Sequence, residues 1–265
     1  MSNAVNGDTD NFEQRLRQRA AAQSDPLSTT PSEPSLRPHG RIPNTPLAVS
    51  CISALLGILF ALGAVIFVVG VRQDWSIDRL GFYIAAWAVF HWGEFAVTAG
   101  WNQNKCSIDS FLLENGAQYH IAHSVATLEY LISSYFWPSY KTYPFFSPAG
   151  IVLVIFGQIL RSAAMIQAGN SFSHVVAYRK LDDHVLVTGG IYAWFRHPSY
   201  AGFYYWALGT QLLLQNPISF VGFAVVLWRF FSNRIAHEEI SLIRFFGDDY
   251  NSYRSRTGTM IPFVS

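Results

Sequence analysis

Apolar residues gather into long runs separated by short polar breaks, and the runs have the length of membrane helices rather than of a soluble core. Leu47–Val71 is 25 residues without a charge. At about 1.5 Å per residue such a helix crosses a hydrocarbon core of about 30 Å. A second run, Leu80–Ala99, carries only His91 and Glu94. A third covers roughly Phe111–Phe136 with His120, His123 and Glu129, and a fourth, Ser147–Ala168, contains Arg161. A polar stretch, Gly169–His197, follows. Two more apolar segments, Tyr200–Leu214 and Pro217–Phe231, are separated only by Gln215 and Asn216, so they form an antiparallel helical hairpin. The pattern predicts an all-α, polytopic transmembrane bundle of six spans, in which the hairpin is short enough to be re-entrant. Ahead of it, residues 1–46 are rich in Ser, Pro and Asn, a composition that predicts a disordered tail. The chain divides into this tail, N-terminal membrane helices over 47–146, and a region over 147–265 that holds the remaining helices and a polar C-terminal segment.

Composition agrees. Hydrophobic residues make up 51% and charged residues 13% of the 265, against about 25% charged in soluble domains. The net charge of +1 and the lack of a basic run exclude a nucleic-acid reading. Cys51 and Cys106 make neither a disulfide framework nor a metal cluster, and the histidines lack a HExxH pattern or cysteine companions, so no metal is expected. No cleavable signal peptide is evident, which leaves targeting to the first membrane helix. With the N-terminus in the cytosol, ten Lys and Arg from residue 37 onward fall on cytosolic segments (Arg37, Arg41, Lys105, Arg179, Lys180, Arg196, Arg234, Arg244, Arg254, Arg256). Three (Arg72, Arg79, Lys141) fall on the other side. The positive-inside rule favours that orientation. It puts Gly169–His197 and the C-terminal segment together on the cytosolic face. Glu94, Glu129 and Arg161 are too costly to face lipid and are expected to turn into the bundle or approach an interface.

Chemistry concentrates in "HVLVTGGIYAWFRHPSYAG". Gly189–Gly190 reads as a turn, and Pro198 suits the first position of a helix. Arg196 and His197 then stand at a helix N-terminus, whose free N–H groups and positive dipole end receive anions. An interfacial helix start anchored by Tyr, Trp and Arg explains the same residues. Further on, Arg234 and Glu238 lie four apart on one helical face of "RIAHEEISLIRFFG", with Ile235, Leu242 and Phe245 at helical spacing and a stop at Gly247. The residues alone therefore allow an anion or carboxylate site at a membrane surface, or a transporter or sensor using its buried ionisable groups.

The ordered set "SFSHVV", "LVTGGIYAWFRHPSYAGFYYW", "GTQ", "NP", "RIAHEE" and "FFGDDYNSY" resembles the isoprenylcysteine carboxyl methyltransferase family. The resemblance runs from about Ser147 to Pro262 and is strongest from His174 to Arg256. It implies an endoplasmic reticulum membrane enzyme in a six-span form, shorter than the eight-span animal members. The implied reaction is methyl transfer from S-adenosylmethionine to the C-terminal α-carboxylate of prenylated CaaX proteins such as small GTPases. Carried over by position, the cofactor site comprises His184, Val185, Leu186, Val187, Tyr192, His197, Pro198, Ser199, Tyr200 and Glu238. Arg234 serves the prenylcysteine carboxylate. Ala177 stands where the family often has Gln, which puts one polar cofactor contact in doubt. Such a reaction needs no general base, because a C-terminal carboxyl with a reference pKa of about 3.5 is already ionised. What it needs is alignment, exclusion of water and a counter-charge.

Overall fold

The computed structural model describes residues 40–73, 77–176, 179–180 and 184–264. The tail expected before the first helix lies outside the described residues up to residue 39, and so does Ala177. The described residues form seven α-helices: α1 Pro46–Gln73, α2 Asp78–Trp101, α3 Ala117–Phe136, α4 Phe146–Ala168, α5 Pro198–Leu214, α6 Pro217–Phe246 and α7 Asp248–Arg256.

Four of these, α1, α2, α4 and α6, are long and apolar enough to cross a membrane. Helix α1 presents Leu55, Ile58, Leu62 and Val65 outward, as a lipid-facing helix does. Helix α3 begins later than the apolar run suggests. Ile108–Phe111 is a tight 3-10 turn, Leu112 adopts φ +53°, and the helix starts only after Gly116 at φ +83°. Phe111 instead stacks on Phe95 of α2, ring centroids 4.2 Å apart, and is fully buried. The apolar run therefore reported core packing as well as a helix.

Helix α5 has 17 residues, most of them buried, and it is the centre of the bundle. Small residues set its approach to α4. A Cβ on Gly157 would sit 2.5 Å from the Gly202 carbonyl oxygen, and one on Gly150 would sit 2.3 Å from the Leu213 nitrogen. The two backbones therefore touch, the arrangement that small-residue helix interfaces give in membranes. Gly63 and Gly81 bring α1 and α2 together in the same way.

Glu94, Glu129, Arg161 and Lys141, at membrane depth, each have partners. Arg161 of α4 holds both carboxylate oxygens of Glu94 on α2 and donates to Ser199 Oγ at 2.9 Å. Glu129 of α3 accepts from the backbone N–H groups of Ile218 (2.9 Å) and Ser219 (2.7 Å), capping the N-terminus of α6. At the other side of the hairpin turn, Lys141 donates to the Leu214 and Gln215 carbonyls and to Asn216 Oδ1, and so closes the C-terminus of α5. His91 and His123 bond to the Tyr119 and Tyr83 hydroxyls at 2.7 and 2.6 Å. Among the described residues, no cluster of three His, Cys, Asp or Glu could hold a metal ion.

Helix α6 runs unbroken for 30 residues, past the apolar portion at Pro217–Phe231, and stops at Gly247 with φ +56°. Its last turns, together with α7, face the segment between α4 and α5. Here the site forms.

Candidate active site

Gly190, at φ +55°, turns the chain into a 3-10 turn over Gly190–Ala193, and Pro198 opens α5 at its first position. Between them Arg196 is buried. Its backbone N–H donates to the Gly258 carbonyl, Nε donates to Glu239 Oε1 at 2.6 Å, and Nη1 donates to the Thr257 carbonyl. His197 reaches the same Glu239 oxygen at 3.3 Å, and Arg254 of α7 reaches Glu239 Oε2 at 3.2 Å. Glu239 is thus the anchor that ties the start of α5, the end of α6 and α7 into one unit. Sequence reasoning assigned a role to Glu238 and none to its neighbour. The adjacent pair was a signal, since consecutive residues on a helix point about 100° apart and so serve different surroundings.

A polar cavity opens beside this anchor. His184, Val185, Leu186, Val187, Tyr192, His197, Pro198, Ser199, Tyr200 and Glu238 all line it, so every residue carried over as cofactor-binding comes to one place. Ser171, Phe172, Leu242, Phe246, Tyr250 and Tyr253 also line it, and the sequence assigned none of them a role in the site. Tyr192 donates to the Ala164 carbonyl at 3.2 Å, and burial, with the Glu238 carboxylate nearby, pushes its hydroxyl above the usual range, so it stays protonated. Arg196 lines the cavity too, and its Nη2 is buried with no hydrogen-bond partner among the described residues.

A second cavity, of about 460 Å³, lies between α3, α5 and α6. Its walls are largely apolar, with Phe203, Phe223, Val226, Leu227, Phe230 and Phe231 among them. One wall comes from α3, so the 47–146 part of the chain contributes to it. Among the described residues, two cations line this groove, Arg161 and Arg234. Arg161 is committed to Glu94. His174 is held down to about 4, mainly by burial and also by the Arg161, Arg234 and Lys105 cations, and is therefore neutral at pH 7. Arg234 remains as the positive charge an incoming anion would meet.

The two cavities share Phe172, Ser173 and Tyr200. Tyr200 is the junction. Its hydroxyl accepts from Arg234 Nε at 2.9 Å and donates to Glu238 Oε2. Its ring stacks on Phe231 and on His197 at centroid distances of 5.2 and 5.5 Å. Arg234 and Glu238, four apart on one face of α6, thus meet through Tyr200. Arg234 Nη2 donates to the His174 carbonyl. Among the described residues its Nη1 makes no hydrogen bond.

The sequence pattern of the isoprenylcysteine carboxyl methyltransferase family matches residues 150–244. The chain is 44% identical over 212 residues to the human protein-S-isoprenylcysteine O-methyltransferase, covering 80% of this chain and 73% of that one. The Saccharomyces cerevisiae enzyme of the same name is 45% identical over 222 residues, covering 82% and 91%. A solved structure described as a eukaryotic intramembrane Ras methyltransferase superposes with a TM-score of 0.78 at 40% identity, over 82% of this chain and 76% of that one.

Proposed function

The chain belongs to the isoprenylcysteine carboxyl methyltransferase family, and from that premise we propose how its residues divide the work. The reaction is S-adenosylmethionine-dependent esterification of the C-terminal α-carboxylate of a prenylated cysteine in CaaX proteins. Support for the division comes above all from the Tyr200 hydroxyl, which joins a cation in an apolar groove to an anion in a polar cavity.

The polar cavity suits the cofactor chemically. Val185, Leu186, Val187 and Phe246 offer apolar walls to an adenosine, while Glu238 offers an anion to an ammonium or to hydroxyls. The unpartnered Arg196 Nη2 offers a cation to a carboxylate. When bound, S-adenosylmethionine supplies an activated methyl group on a sulfonium. The apolar groove takes the isoprenoid chain, which already lies in the lipid. Arg234 Nη1 holds the α-carboxylate at the groove's end. A buried carboxylate needs such a partner to enter at all. Phe203, Phe230 and Phe231 exclude water there, which leaves the carboxylate a stronger nucleophile than in solution. Tyr200 fixes the guanidinium and the Glu238 carboxylate relative to each other, so the two reactants are positioned by one hydroxyl.

The same reading gives six spans. Helices α3 and α5, of 20 and 17 residues, complete the crossing begun by the four longer ones: neighbours cover α5, while α3 turns Ile121, Val125, Leu128 and Ile132 outward to lipid. The termini and the 169–197 segment then face the cytosol, and the membrane is that of the endoplasmic reticulum. The 147–265 region carries the chemistry, with α3 supplying one wall. Purified protein should transfer radiolabelled methyl groups to farnesylcysteine and leave a phospholipid amine unlabelled. Label on the amine, or none on farnesylcysteine above the acceptor-free blank, would reject the reading.

A further inference from the structure

The apolar groove continues past Arg234. Leu112, Asn115, Ser173 and His174 line both the groove and a third cavity of about 390 Å³. Polar side chains stand in its walls, Thr98, Asn102, Lys105, Asp109 and Glu114 among them. Neither an isoprenoid chain nor a terminal carboxylate calls for such a lining.

A prenylcysteine at a protein C-terminus has three substituents to place. The carboxylate belongs at Arg234 and the thioether-linked isoprenoid in the groove. The amide nitrogen leads back into the polypeptide. That chain cannot leave along lipid, because its backbone N–H and C=O groups need partners. His174 marks the branch point: its carbonyl accepts from Arg234, while the residue also lines the third cavity and its ring lies 3.3 Å from Thr98 Oγ1. Asn102 supplies a second, independent sign. It is 3% exposed, and its Nδ2 donates to the Phe172 carbonyl at 2.9 Å. Its Oδ1 is buried without a donor among the described residues. Buried acceptors are rarely left so, and a peptide N–H is the group that would satisfy this one. Lys105, the cation in this lining, already donates to the Asn170 and Phe172 carbonyls.

We propose that this third cavity is the subsite for the polypeptide residues immediately upstream of the prenylated cysteine, with Asn102 Oδ1 accepting a substrate backbone N–H. The inference rests on the carboxyl-methylation reading above. The test compares two acceptors, N-acetyl-S-farnesylcysteine and a farnesylated peptide with several residues before the cysteine. Two variants are used. Asn102→Leu removes the buried acceptor, and Glu114→Trp puts bulk at an exposed position that lines the third cavity and not the groove. The peptide KM should rise about tenfold with Asn102→Leu, the size of one lost hydrogen bond, and at least as far with Glu114→Trp. The KM for N-acetyl-S-farnesylcysteine should stay within twofold. Equal changes on both acceptors, or an unchanged peptide KM, would overturn the subsite. Should Asn102→Leu fail to bind S-adenosylhomocysteine, Glu114→Trp alone decides. Wild-type protein that methylates neither acceptor would overturn the methylation reading, and this inference with it.

Discussion

Replacing Tyr200 by Phe removes one oxygen and tests whether the cofactor and acceptor sides are joined where the cavities meet. The ring would keep its stacking on Phe231 and His197, so the fold should persist. Two hydrogen bonds to charged groups would go, one from Arg234 Nε and one to Glu238. Each such bond is worth about 1.5–3 kcal/mol when buried. Arg234 and Glu238 are both half-buried, so water can replace part of what is lost, and the cost falls to about 1.5–2 kcal/mol in total. That corresponds to a loss of roughly 10- to 30-fold in kcat/KM. The assay is initial-rate methyl incorporation into farnesylcysteine, varying each substrate in turn. Because the hydroxyl touches the partner of each reactant, kcat/KM should fall for both. A Tyr200→Phe enzyme within twofold of wild type, or impaired toward one substrate only, would refute the junction.

Glu238→Ala should weaken S-adenosylhomocysteine binding by about tenfold while the protein stays folded, as isothermal titration would show. Glu239→Ala should act on stability instead. It strands the buried Arg196 guanidinium, a loss of about 3–5 kcal/mol. The unfolding temperature in detergent should drop sharply, and the double change Arg196→Met with Glu239→Leu should recover part of it. Gly157→Val drives a side chain into the Gly202 carbonyl and Trp206 backbone. It should destabilise the α4–α5 contact by about 1–3 kcal/mol or more, seen as lost monodisperse protein on size exclusion.

How far the sequence could be read depended on the kind of signal. Long apolar runs located α1, α2 and α4 within a residue or two, and the Gln215–Asn216 break located the hairpin, because membrane spans and tight turns are written locally. The start of α3 was misplaced, because an apolar run does not say which residues pack as a turn against a neighbour, as Phe111 does against Phe95. The residues of the polar cavity were found through their resemblance to a known family. Spacing alone placed only Arg196, His197 and Pro198 at a helix mouth. The partners could not be read at all. Arg161 with Glu94 spans 67 positions, and Glu239 with Arg196 spans 43. Nothing local announces either pair. Spacing put Arg234 and Glu238 on one face, but the Tyr200 hydroxyl that joins them comes from another helix.

Arg234 lines the apolar groove and not the polar cavity, so the proposed division of work gives it to the acceptor. This is tested on a single preparation of Arg234→Ala: the dissociation constant for S-adenosylhomocysteine alongside methyl transfer to farnesylcysteine. The affinity should stay within about twofold of wild type, with turnover at subsaturating acceptor reduced about 100-fold or more. Turnover near that of the wild type would contradict that division, and so would a loss of cofactor affinity as large as the loss of turnover.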